Sequence, residues 1–316
     1  MHKPFLTIAI PTFNRSKVLD KSLESITEQE VFKTTQNVEI VVCDNFSSDD
    51  TENVCQKYLA KYPGKFFYYK NTTNIGDKNF EKSLSLGTGE FLKLSNDSLL
   101  YKQNSLQKML ELIKQNKEKK PTLFFLNNKR PTPTCIYETA SAEDFLSKVS
   151  FWVTWIGGFG IWKIDFDNLI DFNRRSDTNL TQVDVIFRLL SQPNKNAVID
   201  NSRLFKVQKL PNKGGYNFFN VFVTNYFHIL DSFQFNADVI KTEKKRMLLK
   251  HVVVFDAKSN FANSFAFENR FNILFKNTKN IRFVIPMYYV FFIFFFFFFF
   301  VKFSIVEKIK SAFTIK

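Results

Sequence analysis

The first hundred residues alternate between short β-branched runs and segments of helical periodicity, which restricts the chain to stacked βα units on a mostly parallel sheet. Leu6-Thr7-Ile8-Ala9-Ile10 reads as a first strand and Pro11 to Arg15 as the turn after it. Ser16 is placed to cap a helix from about Ser16 to Glu28, whose apolar positions Leu19, Leu23 and Ile26 fall three or four apart. Val38 to Cys43 reads as a second, buried strand that delivers Asp44 at its end. Phe66 to Lys70 is a third strand, Asn74-Ile75-Gly76 a turn, and Asn79 to Leu86 a short helix. Phe91 to Leu94 is a fourth strand, ending in Ser95-Asn96-Asp97-Ser98. Polar clusters therefore lie beyond the C-terminal ends of several strands, where open α/β sheets bind ligands.

Farther along, Asn104 to Lys120 reads as a solvated helix and Leu123 to Leu126 as a strand. The segment from Phe151 to Trp162 holds all three tryptophans, and Asn179 to Leu190 is a helix containing Asp184. Between 206 and 280 the pattern is amphipathic, with helices expected from Phe218 to Leu230 and from Ala237 to Val252. Residues 283–301 carry no charge and include seven consecutive Phe before Val301. Their length just reaches a hydrocarbon core of about 30 Å. Lys276, Lys279 and Arg282 precede the run and Lys302, Lys308 and Lys310 follow it, so the positive-inside rule gives no orientation. A single span, a helix lying in the interface on anionic lipid, and a buried core helix are the three readings.

Lys plus Arg number 44 against 30 Asp plus Glu, a balance of +14 that favours anionic partners such as phosphate-bearing substrates or phospholipid surfaces. The lysines are scattered, and no helix-turn-helix or zinc module accompanies them, so a nucleic-acid partner is not expected. Cys43, Cys55 and Cys135 have no C-x-x-C spacing, which argues against a zinc knuckle or a disulfide framework and fits a reduced cytoplasmic protein. His2, His228 and His251 are too scattered for a metal site. Phe5 to Ile10 is too short an apolar run for a signal peptide, and none is expected.

Taken together, the strand ends supply an amide-rich Pro11-Thr12 turn, an acid at Asp44, a turn at Gly76 and an acid at Asp97. A nucleotide diphosphate needs such parts: backbone donors near phosphate, an acceptor for base or ribose, and a carboxylate-held cation to offset charge. Neither a Walker A sequence nor G-x-G-x-x-G is present, so the usual P-loop and dinucleotide-binding classes have little support.

The ordered strings IAIPTFNRSKVLDKSLESI, VEIVVCDNFSSDDT, NIGDKNF and GTGEFLKLSNDSLL resemble the successive motifs of family 2 glycosyltransferases, over about residues 5 to 105. WIGGFGIW and TQVDVIFRLL look like the acceptor half of the abequosyltransferase-like members. The resemblance implies a GT-A fold over 1–205, with 1–105 the nucleotide-sugar half and 106–205 the acceptor half. A helical extension over 206–280 and a membrane-associating segment over 281–316 complete the expected organisation. It also implies donor contacts from Pro11, Thr12, Arg15, Asp44, Asn74, Gly76 and Asn96, and Mg2+ or Mn2+ on Asp97. Asp97 matches the last carboxylate of the family's D-x-D motif, while Ser95 replaces the first. For the inverting reaction Asp184 matches the base, with Asp177 in reserve, and Trp155, Gly157 and Gly158 fall on the acceptor side. The expected partners are a nucleotide-sugar, a saccharide or lipid-linked saccharide, and the anionic inner face of a membrane.

Overall fold

The computed structural model describes residues 3–127, 136–208, 210, 215–259, 266, 268–281 and 283–313. Cys135 and His2 lie outside the described residues. The strands are β1 (Leu6–Thr12), β2 (Val38–Asp44), β3 (Phe66–Lys70), β4 (Phe91–Leu94), β5 (Leu99–Tyr101), β6 (Thr122–Phe125), β7 (Ile136–Thr139), β8 (Gly160–Trp162), β9 (Ala197–Asp200) and β10 (Phe205–Val207). The helices are α1 (Ser16–Thr27), α2 (Glu30–Thr34), α3 (Thr51–Lys61), α4 (Lys78–Ser85), α5 (Ser105–Gln115), α6 (Ala142–Val149), α7 (Lys163–Asn168), α8 (Thr181–Leu190), α9 (Tyr226–Asp231), α10 (Ala237–Arg246), α11 (Val253–Ser259), α12 (Arg270–Asn277) and α13 (Val284–Phe313).

The chain forms two compact units, one of 1–145 with 152–209 and one of 146–151 with 210–316. The first is built on a five-stranded sheet in the order β3-β2-β1-β4-β8. β3, β2, β1 and β4 run parallel, and β8 pairs antiparallel to β4 at the edge. β2 is buried at every position, as a parallel strand covered on both faces must be. Leu19, Leu23 and Ile26, the apolar stripe of α1, are fully buried in the same core as Ile8, Ile40 and Phe66. Where β2 begins, Glu39 is buried and accepts from the Thr7 and Thr88 hydroxyls at 2.6 and 2.8 Å. That packing explains Gly89, where a Cβ would come within 2.7 Å of the Thr7 backbone nitrogen.

Two local expectations are corrected. Pro11 and Thr12 continue β1 instead of forming the turn, because each still pairs with β2, Pro11 with Cys43 and Thr12 with Asp44. Ser16 does not cap α1: it is the first helical residue, and its N–H is satisfied from the neighbouring segment by Asp49 Oδ2 at 2.9 Å. Cys43 and Cys55 are free and buried, and burial pushes the Cys43 thiol up to about 12.

In the second unit, π-helical turns at Asn220–Asn225 and Met247–Val252 lead into α9 and α11. The helix expected to end at Val252 thus runs on to Ser259. Glu243, buried on α10, accepts from Ser150 Oγ at 2.8 Å and Tyr226 OH at 3.0 Å and pairs with Arg246 at 2.6 Å.

Candidate active site

Sheet register decides which polar groups meet. Thr12 ends β1 opposite Asp44 at the end of β2. On the other side of β1, the chain leaving β4 is tied back by the Ser95 N–H to the Ala9 carbonyl at 2.8 Å. Asp97 then turns toward β1. Thr12 Oγ1 donates to its Oδ2, and Arg15 Nη1 to its Oδ1, both at 3.0 Å. Thr12 thereby stands between the two acids, and Asp44 and Asp97 share the C-terminal edge of the sheet. Burial pushes the Asp97 carboxyl above its ordinary range, opposed by the Arg15 charge and by the hydrogen bonds from Arg15 and Thr12.

Asp44 faces the protein instead of the rim. It is fully buried, with the Ser47 N–H on Oδ1 at 2.9 Å and Tyr68 OH on Oδ2 at 2.8 Å. The hydrogen bond to Asp44 is one reason the Tyr68 hydroxyl is held above its ordinary range, burial being the larger. In this arrangement the carboxylate shapes the turn that follows β2 from within.

The next residue, Asn45, organises the other half of the rim. Its Nδ2 donates to Asn74 Oδ1 at 2.7 Å, and its Oδ1 accepts the Ile75 N–H at 2.8 Å. Asn74 in turn takes the Gly76 N–H at 2.9 Å, and Gly76 turns at φ +59, where glycine carries no steric penalty. Asn45 was not singled out from the sequence; its position directly after a strand-ending acid was the signal. The turns after β1 and β2 are also joined. The Asn14 N–H donates to Ser47 Oγ, and Asn14 Oδ1 accepts the Ser48 N–H, both at 2.8 Å. Asn14 and Phe46 hold φ of +50 and +70, and Phe13 and Phe46 stay exposed on this rim.

The segment from Trp155 to Gly158 is drawn against the β4 end. A Cβ on Gly157 would lie 2.6 Å from the Trp155 ring and 2.9 Å from Asn96 Oδ1. One on Gly158 would lie 2.5 Å from the Phe124 ring. The close approach expected at these glycines is thus filled by the protein's own side chains. Trp155 is partly buried and meets Phe205 edge-on at 6.1 Å.

Lys93, which sequence reading passed over as a mid-strand residue, fixes that segment. Its fully buried Nζ donates to Leu94 O at 2.6 Å and Gly157 O at 2.7 Å. The rings of Phe125 and Phe205 lie 5.5 and 5.6 Å away. Burial lowers this ammonium to about 7. Because the folded state holds the proton less tightly than the unfolded chain, stability contributed at Lys93 rises with pH from about 7 toward the unfolded value near 10.4. Lys93→Met is therefore expected to remove that rise, measured by urea unfolding at about pH 7 and about pH 9.5. It should also speed amide exchange at Gly158 by at least about tenfold through loss of a charge-assisted bond.

Asp184 is placed differently from the presented base that was expected. It is fully buried, and Arg174 donates to both oxygens, Nε to Oδ2 at 2.8 Å and Nη2 to Oδ1 at 2.6 Å. Arg188, one turn along α8, lies 3.7 Å away. Its lone pairs are engaged within the protein. Asp177 is exposed in the turn before α8. Two residues on, Asn179 donates to Asp77 Oδ2 at 3.2 Å, next to Gly76. This brings the Asp177 segment to the Asn74–Gly76 turn.

As cation donors the residues offer Asp97 and Asn96 Oδ1, a buried oxygen without a hydrogen bond among the described residues. Both are hard oxygen ligands of the kind Mg2+ and Mn2+ take. Among the described residues no three His, Cys, Asp or Glu side chains cluster for a metal.

Comparison with known proteins agrees with this geometry. Residues 7–120 match the family described as Glycosyl transferase family 2. Abequosyltransferase RfbV of Salmonella typhimurium is 33% identical over 115 residues, 34% of this chain and 34% of that protein. The GalNAc(5)-diNAcBac-PP-undecaprenol beta-1,3-glucosyltransferase of Campylobacter jejuni is 38% identical over 96 residues, 30% of this chain and 29% of its own. The chain thus spans about a third of these relatives. Among solved structures, TarS 1-349 of S. aureus in complex with UDP superposes with TM-score 0.55 at 15% identity, covering 82% of this chain and 75% of that one. The mannosyltransferase PcManGT of Pyrobaculum calidifontis, solved with GDP-Man and Mn2+, gives 0.55 at 14% identity over 80% of this chain and 72% of its own. Residues 7–120 thus match glycosyl transferase family 2, and the solved structures show that the chain has a GT-A-like fold.

Proposed function

We propose that this protein is an inverting glycosyltransferase. It would move a sugar from a nucleotide-diphosphate donor to a lipid-linked saccharide in the building of a bacterial surface glycan such as lipooligosaccharide, O-antigen or capsule. One observation carries the reading: Thr12 holds Asp97 from one side while register sets it against Asp44, at the ligand-binding edge of a family 2 sheet. The relatives' names, an abequosyltransferase and a PP-undecaprenol glucosyltransferase, support the donor and acceptor classes.

In this reading Pro11, Thr12, Asn74 and Gly76 line the donor, with Asp44 shaping their rim from beneath. Arg15 places a fixed positive charge beside the diphosphate. Asp97 and Asn96 would hold Mg2+ or Mn2+ together with diphosphate oxygens and water, and the bound cation would offset charge on the leaving group. Trp155 forms the acceptor wall, its indole serving a sugar ring, with Gly157 and Gly158 allowing the close packing that supports it. For removal of the acceptor hydroxyl proton we favour Asp177 over Asp184, a choice supported by the exposure of Asp177 in its turn and the engagement of Asp184 by Arg174. The 283–301 segment attaches the protein to the cytoplasmic face of an anionic membrane.

The test is a donor screen by thermal shift with Mn2+, followed by transfer to a lipid-linked saccharide. Binding of one nucleotide-sugar with turnover supports the reading, and failure to bind any nucleotide ends it. A second reading, a family member that binds donor without transfer, is favoured by Ser95 in place of the first D-x-D carboxylate and by the Arg15 pairing of Asp97. Tight binding without turnover across donors would select it. Asp177→Asn is expected to lower turnover by about 10²–10⁴ with donor affinity unchanged, the range for a lost general base. Wild-type rates in that variant would return the base role to Asp184.

A further inference from the structure

Helix α13 leaves one side of itself packed and the other bare. Val284, Tyr288, Phe292, Phe295 and Phe299, spaced three or four apart, are buried or half-buried. Tyr288 OH donates to Asp256 Oδ2 on α11 at 2.8 Å, and Arg270 on α12 pairs with the same fully buried carboxylate at 3.2 Å. Arg270 also lies 5.3 Å from the Phe292 ring, so the polar anchor reaches into the Phe run. The opposite face, including Met287, Val290, Phe294, Phe297 and Val301, is 44 to 65% exposed. Phe271 and Phe275 of α12 add an exposed stacked pair, their rings 6.0 Å apart. Lys276 and Lys279 before this face, and Lys302 after it, are exposed.

Resting on the membrane attachment proposed above, we infer that α13 lies in the plane of an anionic lipid surface and does not cross it. The packed stripe extends from Val284 to Phe299, about 22 Å of helix at about 1.5 Å per residue. A helix along the bilayer normal would carry the Asp256–Arg270 pair toward the hydrocarbon or tear away from it, and intramembrane charges are expensive. Lying flat keeps the pair within the unit, buries the bare Phe face at the headgroup boundary, and sets cations at both ends against anionic headgroups.

The experiment uses the full chain carrying Cys135→Ser, with a nitroxide attached in turn at Met287→Cys, Phe294→Cys and Val301→Cys. These three positions share the exposed face. Depth is read in vesicles of phosphatidylglycerol and phosphatidylcholine. The expected result is three depths within about 5 Å of one another; a middle label about 10 Å deeper than the two outer ones, half the length of helix between them, would establish a span and overturn the inference. Replacing Lys276, Lys279 and Lys302 by Gln should weaken vesicle binding about fivefold each. Unchanged affinity, or equal binding to neutral vesicles, counts against anionic lipid as the partner. Absence of vesicle binding with dimers in solution would assign the face to a second copy, and absence of both would remove the membrane reading itself.

Discussion

Asp97→Asn is expected to abolish Mn2+-dependent donor binding and to cut transfer by about three orders of magnitude, while the melting temperature holds or rises. The two effects diverge because the folded protein holds Asp97 at a disadvantage. Burial raises its carboxyl above the ordinary range, and Arg15 and Thr12 only oppose that shift. A raised acid binds its proton more tightly folded than unfolded, so ionising it costs stability as pH climbs from about 3.9 through the raised value. Asn keeps the shape without that charge. Loss of function with no loss of stability is the pattern of a residue kept for chemistry. Calorimetry alongside Mn2+-dependent nucleotide titration tests this. Unchanged nucleotide affinity with and without Mn2+ would remove Asp97 from the site. In the wild type the same shift predicts that cation-dependent donor affinity weakens on acidification at a pH above that of an ordinary carboxylate.

Asp184→Ala should act in the opposite way, destabilising the fold first. Removing one partner of a buried ion pair typically costs about 3–5 kcal/mol. Arg174 is 39% exposed and can recover water, which places the loss near the lower end. For a unit of this size about 3 kcal/mol lowers the melting temperature by roughly 6–12 °C. Turnover per folded molecule should fall far less than in Asp177→Asn. A variant with wild-type melting and turnover down by orders of magnitude would restore Asp184 as the base.

Much of the sheet was legible because the parallel strands are mostly apolar runs that end on or lead directly into a polar residue, as in Val38–Asp44 and in Phe91–Leu94 before Ser95. The acids at the site followed, since a strand end fixes where the next side chain stands. The three-residue β8 was not readable: Gly160–Trp162 pairs with β4 across nearly seventy intervening residues, and so short a run has no period to detect. Asp184 misled for a related reason. Sequence shows a carboxylate on a helix, whereas Arg174, brought over by the preceding turn, decides whether its oxygens are available. Lys93 and Asn45 were invisible alike, because their partners Gly157 and Asn74 are near only after folding.

The stitch between Asn14 and the Ser47–Ser48 turn has a consequence for how a ligand would be met. Two loops that hold each other by paired hydrogen bonds surrender their conformational freedom when the chain folds, well before any guest arrives. Capture at this rim then resembles entry into a finished mould, with little ordering entropy left to lose. Cutting the stitch, as in Asn14→Ala, would return that disorder to the encounter, and it would surface in the entropy of association while the contacts themselves stay the same.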